Sequence, residues 1–161
     1  MPKTILMVED SDDDVFLIAR AFKNVGLISP VVRASHGQEA IDYLGGQGPY
    51  SDRVKFPFPS LVLLDIKLPF LSGLEVLAWI RQQSGFAALP TVMFTTSSQD
   101  SDVKRAYAAG ANAYIVKPAN FEECTRLAGL IKQFWVEVNV VPPIDLPANA
   151  STTARQATPA A

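Results

Sequence analysis

The sequence has little of several features that would assign it to a special class of protein. Its one cysteine, Cys124, has no partner for an internal disulfide, which fits a reducing compartment. No apolar run approaches the ~20 residues of a membrane helix, and acidic residues follow Met1 too soon for a signal peptide. The net charge of −2 offers no basic surface for nucleic acid. We therefore expect a soluble protein of the cytoplasm that binds neither a membrane nor nucleic acid.

The chain is long enough for one folded domain. Its 161 residues are 48% hydrophobic and 19% charged, as in ordinary globular proteins with a substantial core. From residue 142 onward the composition shifts to Pro, Ala, Thr and Ser, which is typical of a flexible tail. We expect one domain over residues 1–141, a flexible tail over residues 142–161, and no output domain.

Short apolar segments alternate with segments of helical periodicity along the domain. Runs of branched residues between helices are typical of buried parallel strands. Five strand–helix units predict an α/β fold with a doubly wound parallel sheet and helices on both faces. The Gly- and Pro-rich residues 45–60 fit neither element and form a long loop, which suggests a functional feature. The predicted strands are 5–8, 31–32, 61–64, 92–94 and 114–116, and the predicted helices are 15–25, 38–44, 73–83, 100–109 and 121–138.

Polar side chains directly follow four of the predicted strands. They are Glu9 with Asp10, then Asp65, Thr95 and Lys117. Ligands of open α/β sheets bind beyond the carboxyl ends of the strands, so we expect these groups at one edge of the sheet. An aspartate after a strand is often a turn residue, and each of the others also has a purely structural explanation. Their joint placement favours a functional site.

The carboxylates of this group predict a magnesium site. Like charges held together raise one another's pKa unless they share a cation. Carboxylate oxygens of Glu9, Asp10 and Asp65 are the hard ligands that Mg²⁺ prefers. A metal there would orient a phosphoryl group, and Lys117 and Thr95 would stabilise the charge on its oxygens. Asp65 would then act as the nucleophile and form an acyl phosphate.

The acidic residues that follow Asp10 have a different expected role. The run at residues 12–14 consists of three aspartates at the start of the first predicted helix. Acidic groups there cap the helix and favour its dipole, so we assign them to the helix rather than to the ligand set. His36 follows the second strand, and we expect a surface residue rather than a carrier of phosphate.

Four motifs at the strand ends resemble the receiver domain of two-component response regulators. They are Val-Glu-Asp at 8–10, Leu-Leu-Asp-Ile-Lys-Leu-Pro-x-x-Ser-Gly at 63–73, Met-Phe-Thr-Thr-Ser at 93–97 and Ala-Tyr-Ile-Val-Lys-Pro at 113–118. The resemblance covers residues 3–138 and implies a flavodoxin-like sheet of order 2-1-3-4-5. It also implies that a sensor histidine kinase phosphorylates Asp65 with Mg²⁺, and that the protein signals by protein contact. Such a protein catalyses only its own phosphorylation and dephosphorylation.

The resemblance implies further residue roles. The backbone carbonyl of Lys67 would join the metal ligands, and Thr95 and Tyr114 would form a switch pair. Lys117 would contact the phosphoryl group, and its peptide bond to Pro118 would be cis. Many receivers carry a small or neutral residue at position 67. Its lysine would either shield the phosphoryl group or remain solvated on the loop, and both alternatives stay open.

Three features resemble the stand-alone regulators that serve phytochrome-type histidine kinases. They are the Gly/Pro-rich insertion, the Asp-Val-Lys-x-Ala-Tyr segment at 102–107 and the Phe-Trp-x-Glu-x-x-x-x-Pro segment at 134–142. The resemblance therefore implies a kinase of the phytochrome type as a possible partner.

The last predicted helix has more apolar residues than one buried face requires. Leu130 and Phe134 lie off the main stripe, Trp135 adjoins them, and an apolar segment follows at 138–143. This surplus predicts a homodimer through Leu130, Phe134 and Trp135. The alternative is that the segment after the helix folds back over its own sheet edge and covers Phe134.

Proteins with two other functions share this fold, but their motifs differ from this sequence. A hydrolase with an aspartyl-phosphate intermediate would resemble Asp-x-Asp-x-Thr, whereas Asp65 is followed by Ile66 and Lys67. A flavin-binding protein would need a glycine- and hydroxyl-rich loop after the first strand, where this chain is acidic. The hydrolase remains the alternative to the response regulator.

Overall fold

Five strands in the described part of the chain form one parallel sheet. The computed structural model describes residues 3–147, and the strands pair in the order β2-β1-β3-β4-β5. This order confirms the predicted doubly wound, flavodoxin-like fold. The strands are β1 (Ile5–Val8), β2 (Val31–Ala34), β3 (Leu61–Leu64), β4 (Thr91–Thr95) and β5 (Ala113–Val116).

Five α-helices connect and follow the strands. The first begins earlier than its apolar periodicity predicts, because Ser11 Oγ accepts a hydrogen bond from Asp14 N at 3.3 Å and caps it. After Ile131 the last helix changes to a π-helix, Lys132–Val138. None of the helices within residues 3–147 has the length and apolarity to cross a bilayer. The helices are α1 (Asp12–Asn24), α2 (Gly37–Gly45), α3 (Gly73–Gln82), α4 (Asp100–Ala108) and α5 (Phe121–Ile131).

The sheet is covered on both faces, which makes β1 and β3 fully buried. Alternate residues of each strand join two apolar clusters. The first cluster packs the sheet against α2 and α3, and the second packs it against α1 and α5. Because the faces are filled, a polar side chain that follows these strands emerges only at the carboxyl edge.

The insertion between α2 and β3 packs against the last turn of α2. It contains a short 3₁₀ helix, Gly48–Ser51, where the sequence analysis expects no regular element. The rings of Tyr43 and Tyr50 lie 5.1 Å apart, and those of Tyr50 and Phe56 lie 5.0 Å apart. Arg53 donates hydrogen bonds to the carbonyls of Tyr43 and Leu44, the last turn of α2. These contacts give the insertion a structural role at the end of α2.

The chain after the last helix crosses the amino edge of the sheet. We call residues 139–147 the C-terminal strap. Lys3 Nζ donates to the carbonyl of Asn139 at 3.0 Å, and Asp145 N donates to the carbonyl of Gly85 at 2.9 Å. Ile144 and Leu146 pack against the first cluster. The packed chain therefore extends past the expected boundary at residue 141, and residues 148–161 of the predicted tail lie outside the described part of the chain.

Candidate functional site

Glu9 and Asp65 lie side by side at the carboxyl edge of the sheet. They follow β1 and β3, which pair in parallel with Val8 opposite Leu64. Asp65 N donates a hydrogen bond to the carbonyl of Val8 at 3.1 Å and so continues the ladder. The side chain of Asp65 is buried, with 6% of its surface exposed, and Glu9 is buried beside it. Asp10, the next residue, is exposed at the rim.

A tight loop holds Asp65 against the start of α3. Gly73 N donates to the carbonyl of Ile66 at 2.8 Å. A β-carbon on Gly73 would come within 1.9 Å of the carbonyl oxygen of Asp65, so the approach requires glycine. Ser72 caps α3 through a reciprocal pair of hydrogen bonds with Glu75. The backbone of Asp65 is therefore fixed on both sides.

Lys117 places its ammonium in the middle of the acidic group. Its Nζ lies 2.8 Å from Asp65 Oδ2 and 2.8 Å from Asp14 Oδ2, and it also contacts Glu9 Oε2. The side chain is 7% exposed. The structure thus brings Lys117 together with Glu9 and Asp65, as the strand-end rule predicts.

Asp14 is a member of this group that the sequence analysis missed. It was assigned to the first turn of α1 as a helix charge, and it does lie there. Asp10 precedes the extended N-cap Ser11, so it lies outside the helix that carries Asp14. No helical spacing therefore links Asp14 to the acidic pair, and the only sequence signal was its place in the acidic run after Asp10.

Burial and close charged partners shift the pKa values of Glu9 and Lys117. Burial raises the pKa of the Glu9 carboxyl to about 7, and the charge of Asp65 adds to that effect. The hydrogen bonds from Lys117 and the Ser11 N–H offset only part of it. Burial lowers the pKa of the Lys117 ammonium, but its hydrogen bonds to the three carboxylates outweigh burial and raise the pKa. The ammonium therefore stays charged at neutral pH.

The predicted metal ligands also come together. Glu9, Asp10 and Asp65 each place a carboxylate oxygen within 4.8 Å of the others. Hard oxygen donors at this spacing fit a divalent cation such as Mg²⁺. Lys67 is exposed, and its backbone N–H donates to Asp65 Oδ1 at 3.3 Å. The role of its carbonyl as a ligand stays a prediction.

Thr95 carries a polar atom without a hydrogen-bond partner in the described part of the chain. The residue is fully buried, and its Oγ1 is unpaired. Buried hydroxyls are usually paired, because an unpaired one costs roughly 1–3 kcal/mol. Tyr114, on the neighbouring strand β5, donates from its hydroxyl to the carbonyl of Ser97 at 2.8 Å. The switch role of the two residues stays a prediction.

Two other expectations concern individual residues near the edge. The expected cis bond between Lys117 and Pro118 is wrong, since residues 3–147 contain no cis peptide bond. The trans form is the lower in energy by about 0.5–1 kcal/mol for bonds to proline. His36 is the N-cap of α2, and its Nδ1 accepts a hydrogen bond from Glu39 N at 3.1 Å. His36 is half-buried, and the expectation that it carries no phosphate stays a prediction.

The surface of the last helix is apolar where the sequence predicts a dimer. Leu130 and Phe134 are each 51% exposed. Trp135 packs against the second cluster and lies edge-on to Phe134, with ring centroids 4.9 Å apart. Val138 follows Ile131 by seven residues, a spacing that keeps two residues on one face of an α-helix, but it is 68% exposed because the π-helix from Lys132 changes the periodicity. The strap crosses its own sheet edge, as the alternative proposed, but leaves Phe134 exposed.

Comparison with known proteins gives one consistent result. The family model described as the response regulator receiver domain matches residues 5–128. The chain is 37% identical over 146 residues to the probable methanogenesis regulatory protein FilR2 of Methanothrix harundinacea (strain 6Ac). The matched residues cover 88% of each chain.

Two solved structures are similar over nearly their whole length. The phosphorylated cyanobacterial phytochrome response regulator RcpA is 34% identical with a TM-score of 0.81, over 88% of this chain and 99% of that one. The Mn(2+)-bound form of response regulator Rcp1 is 35% identical with a TM-score of 0.79, over the same shares of 88% and 99%. Fold, strand-end motifs and relatives therefore agree that this chain belongs to the response regulator receiver domain family.

Proposed function

We propose that the chain accepts a phosphoryl group on Asp65 from the phosphohistidine of a sensor kinase. The observation that supports this proposal most directly is the set of charged groups around Asp65. Its buried carboxylate contacts the ammonium of Lys117 and also belongs to a carboxylate trio fit for a divalent cation. A nucleophile, a fixed cation and a metal-ligand set at one point are what phosphoryl transfer requires.

The reaction would proceed by in-line displacement. An oxygen of Asp65 attacks phosphorus, the bond from phosphorus to the donor histidine nitrogen breaks, and that nitrogen keeps the electron pair. The product is an acyl phosphate on Asp65. Lys117 stabilises the negative charge on the phosphoryl oxygens. Bound Mg²⁺, held by Glu9, Asp10, Asp65 and the Lys67 carbonyl, would neutralise charge between the carboxylates and the phosphoryl group.

The response to phosphorylation would begin at Thr95. Its unpaired Oγ1 is a hydroxyl for which a phosphoryl oxygen would be a hydrogen-bond acceptor. Movement of Thr95 would alter the packing next to Tyr114, whose hydroxyl bonds to Ser97. The altered surface would then be recognised by another protein, so the output is protein contact.

The similarity to RcpA supports a donor of the phytochrome type. RcpA is described as a phytochrome response regulator, and the likeness spans 88% of this chain. A histidine kinase of that class, acting in the cytoplasm, is the donor we propose. Manganese in the Rcp1 structure supports a divalent cation in the same reaction.

We also propose that the protein pairs with a second copy through α5. The half-exposed Leu130 and Phe134 would form the contact, and Trp135 would support Phe134 from the second cluster. A symmetric pair would bury the same apolar surface on both chains.

Phosphorylation of purified protein tests the function. The wild-type chain, Asp65→Asn and Asp13→Asn are incubated with Mg²⁺ and a labelled acyl phosphate or a phosphorylated kinase. Asp13 is an exposed aspartate of α1 and serves as the matched control. We expect acid-stable, base-labile label on the wild type and on Asp13→Asn, and none on Asp65→Asn. Label at the wild-type level on Asp65→Asn would contradict the proposal.

A further inference from the structure

The acidic group around Lys117 contains one carboxylate that is not in the metal-ligand set. An ammonium has three N–H donors, and those of Lys117 contact three different carboxylates. Two of them, Glu9 and Asp65, also belong to the trio that can hold a cation. The third, Asp14, does not belong to that trio. Asp14 is therefore the carboxylate partner of Lys117 that is not also a member of the metal-ligand set.

A bound dication and the Lys117 ammonium would compete for the same oxygens. Both are positive, so they repel each other and cannot both pair fully with Glu9 and Asp65. Phosphorylation adds a second change, because one oxygen of Asp65 then becomes the bridging oxygen of a mixed anhydride with phosphate. Of the three carboxylate contacts of Lys117, the one with Asp14 is the one that neither event removes.

The backbones that carry Asp14 and Lys117 are both fixed. Asp14 N donates to Ser11 Oγ, which places the residue in the capped first turn of α1. Lys117 N donates to the carbonyl of Thr95 at 2.7 Å, which continues the ladder at the end of β5. Two fixed backbones and a 2.8 Å contact between the side chains make Asp14 an anchor with a defined position.

We propose that Asp14 is a positioning residue for Lys117. It holds the ammonium at the side of the site when the cation takes the oxygens of Glu9 and Asp65, and it keeps the ammonium within reach of the phosphoryl group. The proposal rests on the proposed function, because it assigns Lys117 and the metal trio to phosphoryl transfer. A simple helix-charge role for Asp14 would be shared by Asp13, which lies in the same first turn.

The test measures Mg²⁺ affinity by calorimetry at fixed pH and ionic strength, without any phosphorylation. Asp14→Asn leaves Lys117 with only the two metal-ligand carboxylates as partners, so the ammonium competes more strongly with the cation. We expect Mg²⁺ binding to weaken about fivefold, the factor of a partly exposed ion pair. The control Asp13→Asn should bind Mg²⁺ like the wild type.

The same substitution in a Lys117→Ala background separates positioning from simple charge removal. Loss of a nearby negative charge would weaken Mg²⁺ binding in both backgrounds. Loss of the anchor would weaken it only where Lys117 is present. Circular dichroism of each variant checks the fold, and Asp14→Asn is nearly isosteric.

Equal Mg²⁺ affinity of Asp14→Asn and wild type, or an equal loss in both backgrounds, would overturn the proposal. Because this readout requires no phosphoryl donor, it can fail while Asp65 is still labelled. Conversely, failure of Asp65 labelling would leave the coupling between Asp14 and Lys117 measurable.

Discussion

Gly73 and Asp65 approach so closely that a β-carbon on Gly73 would lie 1.9 Å from the carbonyl oxygen of Asp65. Gly73→Ala would therefore force the loop after β3 apart. We expect it to lower the free energy of unfolding by about 1–3 kcal/mol and to slow labelling of Asp65. Urea unfolding and labelling rates measure the two effects.

The matched control for this prediction is Gly129→Ala in α5. The nearest atom to a β-carbon there is Val25 Cγ1, at an ordinary 3.8 Å. Alanine in place of this helical glycine should raise stability by about 0.5–1 kcal/mol. Equal effects of the two substitutions would show that the contact with Asp65 does not limit position 73.

Gly85 makes a comparable contact with the C-terminal strap. A β-carbon on Gly85 would lie 2.0 Å from the carbonyl oxygen of Asp145. Gly85→Ala should displace the strap, and amide exchange at residues 144–146 should become faster than in Gly45→Ala, whose β-carbon has no neighbour nearer than 3.7 Å. Unchanged exchange in Gly85→Ala would mean that the strap tolerates the added carbon.

Removal of a metal-ligand carboxylate should weaken cation binding. Glu9→Gln keeps the shape of the side chain but loses its charge. We expect Mg²⁺ affinity to fall about tenfold or more, since even indirect ligand partners contribute that much. Calorimetry compares it with Glu122→Gln, an exposed residue of α5. Phosphorylation that proceeds unchanged in excess chelator would argue against any metal requirement.

Lys67 has an exposed side chain beside Asp65, and its effect on the phosphorylated state can be measured. If its ammonium shields the phosphoryl group, Lys67→Ala should shorten the half-life of the phosphoaspartate about two- to fivefold, the factor of a surface ion pair. The rate of formation should change little. Lys104→Ala, an exposed lysine of α4, is the control. An unchanged half-life would favour the solvated lysine.

Pairing through α5 predicts that Phe134→Asp is monomeric. A buried charge without a partner in the contact would destabilise the pair. Light scattering compares the variant with the wild type and with Val54→Asp, a control position that is 94% exposed in the insertion. A monomeric mass for the wild type at high micromolar concentration would rule out the dimer.

The candidate site was predictable where strand order alone determines position. Glu9 and Asp65 each follow a fully buried strand, so their side chains had to emerge at one edge. The contact of Asp14 with Lys117 could not be predicted in this way, because Asp14 lies in a helix rather than at a strand end and is 103 positions from Lys117 along the chain. Periodicity predicts a helix after β1, but it does not predict how the start of that helix packs relative to the end of β5.

Sequence patterns were enough to predict the sheet, its helices, the family and most of the residues at the carboxyl edge. Alternating apolar runs and polar residues at strand ends are local patterns, and such patterns can be recognised in the sequence. Three features could be seen only in the folded structure: the contact of Asp14 with Lys117, the exposure of Val138 at the end of the π-helix, and the packing of the strap against Gly85. The first and the third depend on how distant parts of the backbone approach one another, and the second depends on the change of helix type after Ile131. The composition of residues 142–147 predicts a tail, because prolines are typical of loops. The partial burial of Ile144 and Leu146 depends instead on their packing against side chains of other elements, which composition does not reveal.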